Sequence, residues 1–158
     1  MYAIVKSGEI EQSGALKILF PLTSFPGDIP PDSFKNENGL QQVVEGAQSD
    51  TNYYNVEIGP IALIDGQATQ TYTNTAKDLG TLKVEKVAFV KDQASQRLSM
   101  TDWMVIRSVE RGVPIPSETT TYRLAVVAEC TRLETAINAS ADVDALIAVM
   151  NAQNWPDE

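Results

Sequence analysis

The side chains that most often carry catalysis are absent from this chain or stand alone in it. No histidine occurs among the 158 residues, which removes the commonest general base and the commonest metal ligand. The single cysteine, Cys130, lies among alanines, valines and a leucine, a setting that predicts a buried, unreactive thiol on a helix. Glycine-rich phosphate loops and serine-nucleophile signatures are also absent. The sequence therefore predicts that the protein is not an enzyme and has no catalytic residue, metal site or cofactor site.

Two pairs of carboxylates are close enough in sequence to suggest acid–base or metal chemistry. Asp142 and Asp144 are two positions apart, and on a helix such side chains point in different directions. They precede an apolar helical run, so they predict a helix start, where the helix dipole favours acidic residues. Asp28 and Asp32 lie in a proline-rich segment without a third carboxylate beside them. Calcium held by loop oxygens stays open as an alternative there.

Recognition of another protein is the chemistry that the remaining distinctive side chains suit. Tryptophan and arginine are enriched in the hot spots of protein interfaces, and the chain has only two tryptophans. We expect Trp103 to pack within the molecule, whereas internal packing and contact with a partner stay equally open for Trp155. The candidate partner-binding residues are Trp103, Arg107, Tyr122, Arg123 and Trp155.

The arginines of this region have acidic neighbours in sequence. We expect surface ion pairs among them, which would stabilise the fold only weakly. The residues concerned are Arg107, Arg111 and Arg123 with Glu110, Glu118 and Glu129.

Aromatic residues near predicted turns suggest a different class of function. Phe25 and the pair Tyr53-Tyr54 would be able to contact a surface glycan if they were exposed on loops. A receptor-binding module is therefore an alternative hypothesis. A strand and a core anchor explain the same three aromatics equally well.

Strand and turn signals occupy the first 75 residues. Asp65-Gly66 is the clearest hairpin signal, because both central positions of that turn need a positive φ. Before it, we expect Tyr54, Val56 and Ile58 to face one way. Asp32 is expected to cap a short helical turn that Gly39 ends. Strands are predicted at residues 2–5, 9–12, 40–45, 53–64 and 69–73.

From Asp78 onward the apolar spacing changes to that of helices. Four helices are predicted: from Asp78 to about Leu98, from a cap at Thr101-Asp102 to Arg111, from Ser117 to Ala139, and from Ser140 and Asp142 to the stop at Trp155-Pro156. The predicted fold class is α+β, with a small antiparallel β-module at the N-terminus followed by a helical C-terminal region. The predicted division is 1–75 for the β-rich module and 76–158 for the helical region.

The charge balance limits the partners. The chain has 21 acidic and 12 basic side chains, a formal net charge of −9. Nucleic-acid binding depends on lysine and arginine, and anionic membranes repel an acidic surface, so we expect neither as a partner. No stretch approaches the ~20 apolar residues that span a bilayer, and the start lacks the pattern of a signal peptide. These features predict a soluble protein of the cell interior.

The C-terminal half, roughly from Asp92 to Pro156, resembles the tail-fibre assembly proteins (tail assembly chaperones) of tailed bacteriophages. Their pattern has a strand-rich N-terminal part, a charged helix, a Thr/Ser-Asp-Trp segment, a Tyr-Arg segment and a closing Trp-Pro. The hairpin of residues 53–72 is similar to the N-terminal part of such proteins. The matching C-terminal residues are Thr101-Asp102-Trp103-Met104-Val105-Ile106-Arg107, Glu110, Gly112, Pro114-Ile115-Pro116, Tyr122-Arg123 and Trp155-Pro156.

The resemblance implies a non-enzymatic role in building a phage tail, with a tail fibre or another tail protein as the partner. The first hypothesis is an assembly protein that binds the immature fibre in the host cytoplasm. The alternative is a structural subunit of the tail or baseplate, or a fibre adaptor, that remains in the virion tail. A homo-oligomer is compatible with both.

Overall fold

The computed structural model describes residues 1–157 and has the α+β fold class predicted from the sequence. The chain divides into two compact units, one formed by Met1–Thr75 and the other beginning at Ala76. Strands dominate the first unit, and the second unit is helical. Each unit is described by itself below.

The first sheet has three antiparallel strands in the order β2-β1-β3. They are β1 (Tyr2–Lys6), β2 (Glu9–Gly14) and β3 (Leu40–Gln42). The predicted N-terminal hairpin is confirmed, with Ser7 and Gly8 both at positive φ in its turn. Ala3 and Leu40 are buried in this unit.

Two short helices and a 3₁₀ turn lie between β2 and β3: α1 (Leu16–Leu19), the turn Pro26–Asp28 and α2 (Asp32–Asn38). Gly39 ends α2 in the left-handed region, as predicted. The predicted cap at Asp32 is wrong, because the helix already includes Asp32 and begins after Pro31. The Asp32 carboxylate instead accepts a hydrogen bond from Lys35 Nζ at 2.9 Å.

The second sheet has the order β4-β6-β5, formed by β4 (Val44–Glu45), β5 (Tyr54–Ile64) and β6 (Gln67–Ala76). The hairpin turn at Asp65-Gly66 is confirmed, since both residues have positive φ. β4 runs parallel to β6. The single strand predicted at 40–45 is wrong: its first half pairs with β1 and its second half with β6. Residues 40–45 are divided because the two halves pair with different strands, β1 and β6. The local sequence does not specify which strand a segment pairs with.

The side-chain alternation predicted for β5 fails at Ile58, which is 78% exposed. The alternation of exposed and partly buried residues shifts there, because Glu57 and Ile58 are both exposed, and Pro60 two residues later has no amide proton to donate to a ladder. The carbonyl oxygen of Gly59 accepts from Gln70 Nε2 at 2.6 Å, and that of Pro60 accepts from Thr71 Oγ1 at 2.5 Å.

The second unit is built on α3 (Leu79–Ser99), α5 (Ser117–Ala139) and α6 (Val143–Asn151). Near one end of the α3–α5 pair, Lys83 Nζ donates to the Asn138 carbonyl at 2.9 Å. Near the other end, Arg123 Nη1 donates to the Leu98 carbonyl at 2.8 Å, so the two helices are antiparallel. The fully buried side chains of this unit are Leu82, Val90, Val126, Leu133, Ile137 and Leu146.

Carboxylate caps begin two of these helices, and the cap at Asp142 agrees with the helix start that the sequence predicted there. Asp78 Oδ1 accepts from the Thr81 amide at 2.7 Å, and Asp142 Oδ1 accepts from the Ala145 amide at 2.8 Å. Each cap satisfies an amide that has no partner within the helix. The pair Asp142 and Asp144 therefore marks a helix start, as expected.

The remaining helix, α4 (Asp102–Arg111), connects α3 to the segment before α5, and every one of its residues is at least partly exposed. Gly112 ends it in the left-handed region, as predicted. Thr101 stands at its start, but the predicted side-chain cap is wrong. The Thr101 hydroxyl donates instead to the Leu98 carbonyl at 3.1 Å. In residues 1–157, every helix is too short or too polar to cross a bilayer.

Candidate partner-binding surface

A row of exposed apolar side chains begins at the end of α3 and continues on α4 at a spacing of three residues. Its members are 59%, 52%, 57% and 83% exposed in chain order, and they are Met100, Trp103, Ile106 and Val109. Side chains three apart on a helix are neighbours, and each step turns by about 60°, so the part of the row on α4 winds partly around the helix. This row, with the neighbouring Arg107 and Arg111, is called the α4 surface below. Contiguous exposed apolar area is typical of sites that bind another molecule.

Arg107 lies against Trp103 on the α4 surface. Its guanidinium carbon is 5.2 Å from the centre of the indole ring, which is cation–π distance. The Nε atom of Arg107 is shielded from solvent and has no hydrogen-bond acceptor among residues 1–157. A buried donor left without an acceptor costs about 1–3 kcal/mol.

Neither Arg107 nor Arg111 forms an ion pair within the part of the chain that the structure describes. The ion pairs expected for them with glutamates are therefore wrong. Nearness in sequence did not bring the charged ends together, since Arg107 lies over Trp103 and Glu129 is engaged by Arg132.

Arg123 is a positioning residue for α4. Its Nη1 donates to the Leu98 carbonyl at 2.8 Å and to Thr101 Oγ1 at 2.7 Å, and it lies 2.9 Å from Asp102 Oδ1. These three contacts join α5 to the end of α3 and the first turn of α4. The expected pairing of Arg123 with a glutamate is wrong, because Asp102 and two oxygens at the α3–α4 corner occupy its guanidinium.

Tyr122 lines a cleft between α4 and α5 with a volume of about 360 Å³. Thr119 Oγ1 donates to Met104 Sδ at 3.5 Å where the two helices approach each other. The cleft adjoins the apolar row through Met100. Its size and mainly apolar lining suit one large aliphatic or aromatic side chain of a partner. The lining residues are Met100, Thr101, Met104, Glu118, Thr119 and Tyr122.

Trp155 lies apart from the α4 surface and is held by its own unit. Its Nε1 donates to Gln153 Oε1 at 2.8 Å and to Gln93 Oε1 at 3.2 Å. The Arg97 guanidinium carbon lies 4.6 Å from the ring centre. Of the two roles left open for Trp155, the observed one is internal packing. The internal packing expected for Trp103 is wrong, because its side chain is 52% exposed on the surface of α4.

An ion pair between the buried Glu129 and the exposed Arg132 fixes the C-terminal segment that carries Trp155. Glu129 Oε1 accepts from the Asn154 amide at 2.7 Å, and both Glu129 oxygens accept from Arg132 at 2.7 Å. Arg132 Nη2 also donates to the Ala152 carbonyl at 2.9 Å. The hydrogen bonds from Arg132 hold the pKa of the Glu129 carboxyl below its usual value, and the Asn154 amide lowers it further.

The aromatics considered for glycan contact are largely engaged within the first unit. Tyr53 is only 8% exposed, and burial raises the pKa of its hydroxyl. The Phe25 ring packs edge-on against Phe34, with ring centres 4.8 Å apart. Tyr54 is half-buried in β5. These side chains do not form an exposed aromatic platform for a sugar ring.

Groups with redox or metal chemistry have ordinary structural surroundings. Cys130 is half-buried, with its Sγ 3.9 Å from the Val90 carbonyl oxygen. Within residues 1–157, no cluster of three or more histidine, cysteine, aspartate or glutamate side chains is placed to hold a metal ion.

Three members of the apolar row, Met100, Ile106 and Val109, were not among the partner-binding residues predicted from the sequence. Their three-residue spacing from Trp103 can be read in the sequence, but the half-buried Met104 and Val105 belong to the same apolar run. The run alone therefore did not show which side of α4 is covered.

No protein-family model, curated protein or solved structure matches this chain.

Proposed function

We propose that this protein is a non-enzymatic phage tail protein that assists the assembly of tail fibres, and that it binds the fibre through the α4 surface. The observation that carries the proposal is the row of four apolar side chains, each more than half exposed, formed by Met100 at the end of α3 and by Trp103, Ile106 and Val109 on α4. The sequence resemblance supplies the identity of the partner. It covers α4 itself and includes Trp103 and Arg107.

Assistance of this kind needs only a difference in affinity. A protein that binds an immature fibre chain better than the finished trimer protects apolar surface until trimerisation removes it. Burying a large apolar side chain contributes about 1.5–3 kcal/mol. The exposed row of α4 therefore offers enough apolar area for reversible binding, and no nucleotide is required.

The proposal is tested by co-expressing the fibre gene of the same phage or prophage with this protein. We expect the wild-type protein to raise the yield of soluble, trimeric fibre. Ile106→Asp places a charge in the centre of the row and is expected to abolish the gain. Val84→Asp is the matched control, because Val84 is a 72% exposed valine on α3 outside the α4 surface.

Fibre yield that does not depend on the protein, or that falls equally in the two variants, would contradict the proposed role of α4. Circular dichroism of both variants would establish that their folds are intact.

Mass spectrometry of purified virions separates the assembly protein from the structural alternative. An assembly protein is expected in infected lysate bound to the fibre and absent from finished particles. A fixed copy number in the particle that matches the symmetry of the tail would identify a structural subunit or adaptor instead.

A further inference from the structure

We infer that Asn38 and Gly39 form a site of spontaneous covalent modification, at which local opening of α2 allows deamidation of Asn38 and so weakens the first sheet. Asn38 is the only asparagine of the chain that is followed by glycine. The backbone nitrogen of the residue after an asparagine can attack the side-chain carbonyl carbon. Glycine hinders that attack least, because it has no side chain.

The reaction needs no reagent except water. The Gly39 nitrogen loses its proton and bonds to Cγ of Asn38, the bond between Cγ and Nδ2 breaks, and ammonia leaves. The product is a five-membered succinimide ring within the main chain. Water then opens the ring at either of its carbonyl groups, which gives aspartate or isoaspartate at position 38. In isoaspartate the main chain passes through Cβ and Cγ and is therefore one atom longer.

The folded molecule holds both reacting groups in place. Asn38 is the half-buried last residue of α2, and its Nδ2 donates to the Phe34 carbonyl at 2.9 Å. The Gly39 amide donates to the Asn36 carbonyl at 3.4 Å, while the Gly39 carbonyl accepts from the Val5 amide at 2.8 Å. The succinimide ring contains the Cα–C and Cα–Cβ bonds of Asn38, so it closes only after the helical backbone and the side-chain hydrogen bond are given up. Deamidation therefore proceeds from an opened α2.

Opening of α2 needs less than global unfolding. The helix has seven residues, none of them fully buried, and its first turn has no side-chain cap. A helix this short is marginal without tertiary packing. Its packing comes from Phe34, whose ring centre lies 4.9 Å from that of Phe20 and 4.8 Å from that of Phe25. Such segments open locally at a lower free energy than the whole fold.

The fold requires the glycine that makes the site reactive. Gly39 has a φ of 59°, and a Cβ there would collide with the Val5 carbonyl oxygen. The products fit the same place poorly. Aspartate replaces a donor to the Phe34 carbonyl with a carboxylate at the negative end of the helix dipole. Isoaspartate lengthens the connection between α2 and β3, which must stay in register with β1. Deamidation is therefore expected to loosen β3.

The test incubates the full chain in mildly alkaline buffer, with and without denaturing urea, and locates the modification by mass spectrometry. We expect slow conversion of Asn38 in native buffer, with isoaspartate among the products. Conversion in urea should be at least about tenfold faster, because the opening step is then removed. Asn36 is the internal control, since it is an exposed asparagine of the same helix followed by glutamate, and it should stay intact over the same period.

Two variants test whether opening controls the reaction. Phe34→Leu removes the ring contacts with Phe20 and Phe25 but keeps an apolar side chain, and it should speed conversion of Asn38 in native buffer. Asn38→Gln keeps a side-chain amide but would have to close a six-membered ring, so it should abolish the modification. The comparison of native buffer with urea uses the wild-type chain alone and decides the matter even if Phe34→Leu does not fold.

The consequence for the sheet is tested with Asn38→Asp, which is one of the two products. We expect faster amide hydrogen exchange in β3 than in the wild type. Asn55→Asp is the matched control, because Asn55 is an exposed asparagine of β5 in the same unit, and exchange in β3 should not change.

Equal conversion rates in native buffer and in urea would overturn the inference, because opening would then not limit the reaction. An Asn38 that stays intact in urea while Asn36 or Asn55 converts would overturn it as well. So would the absence of conversion in native buffer in both the wild type and a folded Phe34→Leu variant. Exchange in β3 that is the same in Asn38→Asp and in the wild type would remove the proposed effect on the sheet.

Discussion

The two tryptophans stand in similar local sequence, each beside residues that begin or end a helix, but their environments differ. Trp155 has two amide acceptors for its indole N–H and a guanidinium over its ring, whereas Trp103 is 52% exposed and has the Arg107 guanidinium of its own helix over its ring. Because the indole N–H of Trp155 has its hydrogen-bond acceptors in the same molecule, it helps to hold the side chain in the fold. An exposed indole stacked with arginine is typical of an interface hot spot.

The tryptophans should therefore respond differently to truncation. Trp155→Ala is expected to lower the free energy of unfolding by about 2–3 kcal/mol, less than the ~3–5 kcal/mol of a fully buried tryptophan. Trp103→Ala should change it by no more than about 0.5 kcal/mol, because it removes little buried area. Urea unfolding of both variants measures the difference. Equal losses would mean that Trp103 is packed as firmly as Trp155.

Glu129 makes the stability of the second unit depend on pH. Its folded pKa lies below the ordinary value of 4.5, so its contribution is complete above that value and is lost as pH falls through the folded pKa. At neutral pH, Glu129→Gln should cost about 1–3 kcal/mol, because the buried Glu129 side chain loses the charge that strengthens its hydrogen bonds from Arg132 and the Asn154 amide. Urea unfolding at neutral and acidic pH should show this difference shrinking toward acid.

The control for that measurement is Glu118→Gln, which changes an exposed glutamate on the same helix. Its stability should differ from wild type by no more than about 0.5 kcal/mol at either pH. A Glu129→Gln difference that grew on acidification would contradict the structural role given to this carboxylate.

At the scale of elements, the helices and tight turns were predictable because their determinants are local. Glycine after Arg111 and after Asn38, Asp-Gly between β5 and β6, and carboxylates before α3 and α6 act on the residues next to them. The division of residues 40–45 between two sheets was not predictable. It depends on pairing with β1 and β6, which are distant in sequence.

The candidate surface was predictable only in part, for a similar reason. Trp103 and Arg107 of α4 were identified by residue type, whereas the extent of the apolar row could not be predicted from the sequence. Which face of a short helix is covered depends on its neighbours, and α4 has apolar residues on both faces. The role of Arg123 was hidden because its partners, Leu98 and Thr101, lie 25 and 22 residues away in sequence.

A prediction about the packing of α4 concerns Arg123, which joins α5 to the corner between α3 and α4. Arg123→Met should loosen the α3–α4 corner, because the Leu98 carbonyl, Thr101 and Asp102 lose a shared charged donor. We expect faster amide hydrogen exchange across α4 and a loss of about 1–3 kcal/mol in stability. Arg111→Gln is the control and should leave exchange in α4 close to wild type. Unchanged exchange in Arg123→Met would show that other contacts position the helix.

At the scale of the whole molecule, an acidic chain carries a helix, α4, whose acidic and basic side chains balance and which exposes apolar side chains. A formal net charge of −9 opposes aggregation through the exposed row. The two units each have buried apolar residues, and the fold class agrees with the order of strand and helix signals in the sequence. The tail-fibre role remains a proposal that rests on the α4 surface and the resemblance.

The measurement that tests the central claim most directly is site-specific photo-crosslinking in phage-producing cells. A photoreactive amino acid is placed at Ile106 in one strain and at Val84 in another, and crosslinked products are identified by mass spectrometry. The account predicts that position 106 crosslinks to the fibre polypeptide and that position 84 does not. Crosslinking of the fibre at position 84 alone, or of no tail protein at position 106, would contradict it.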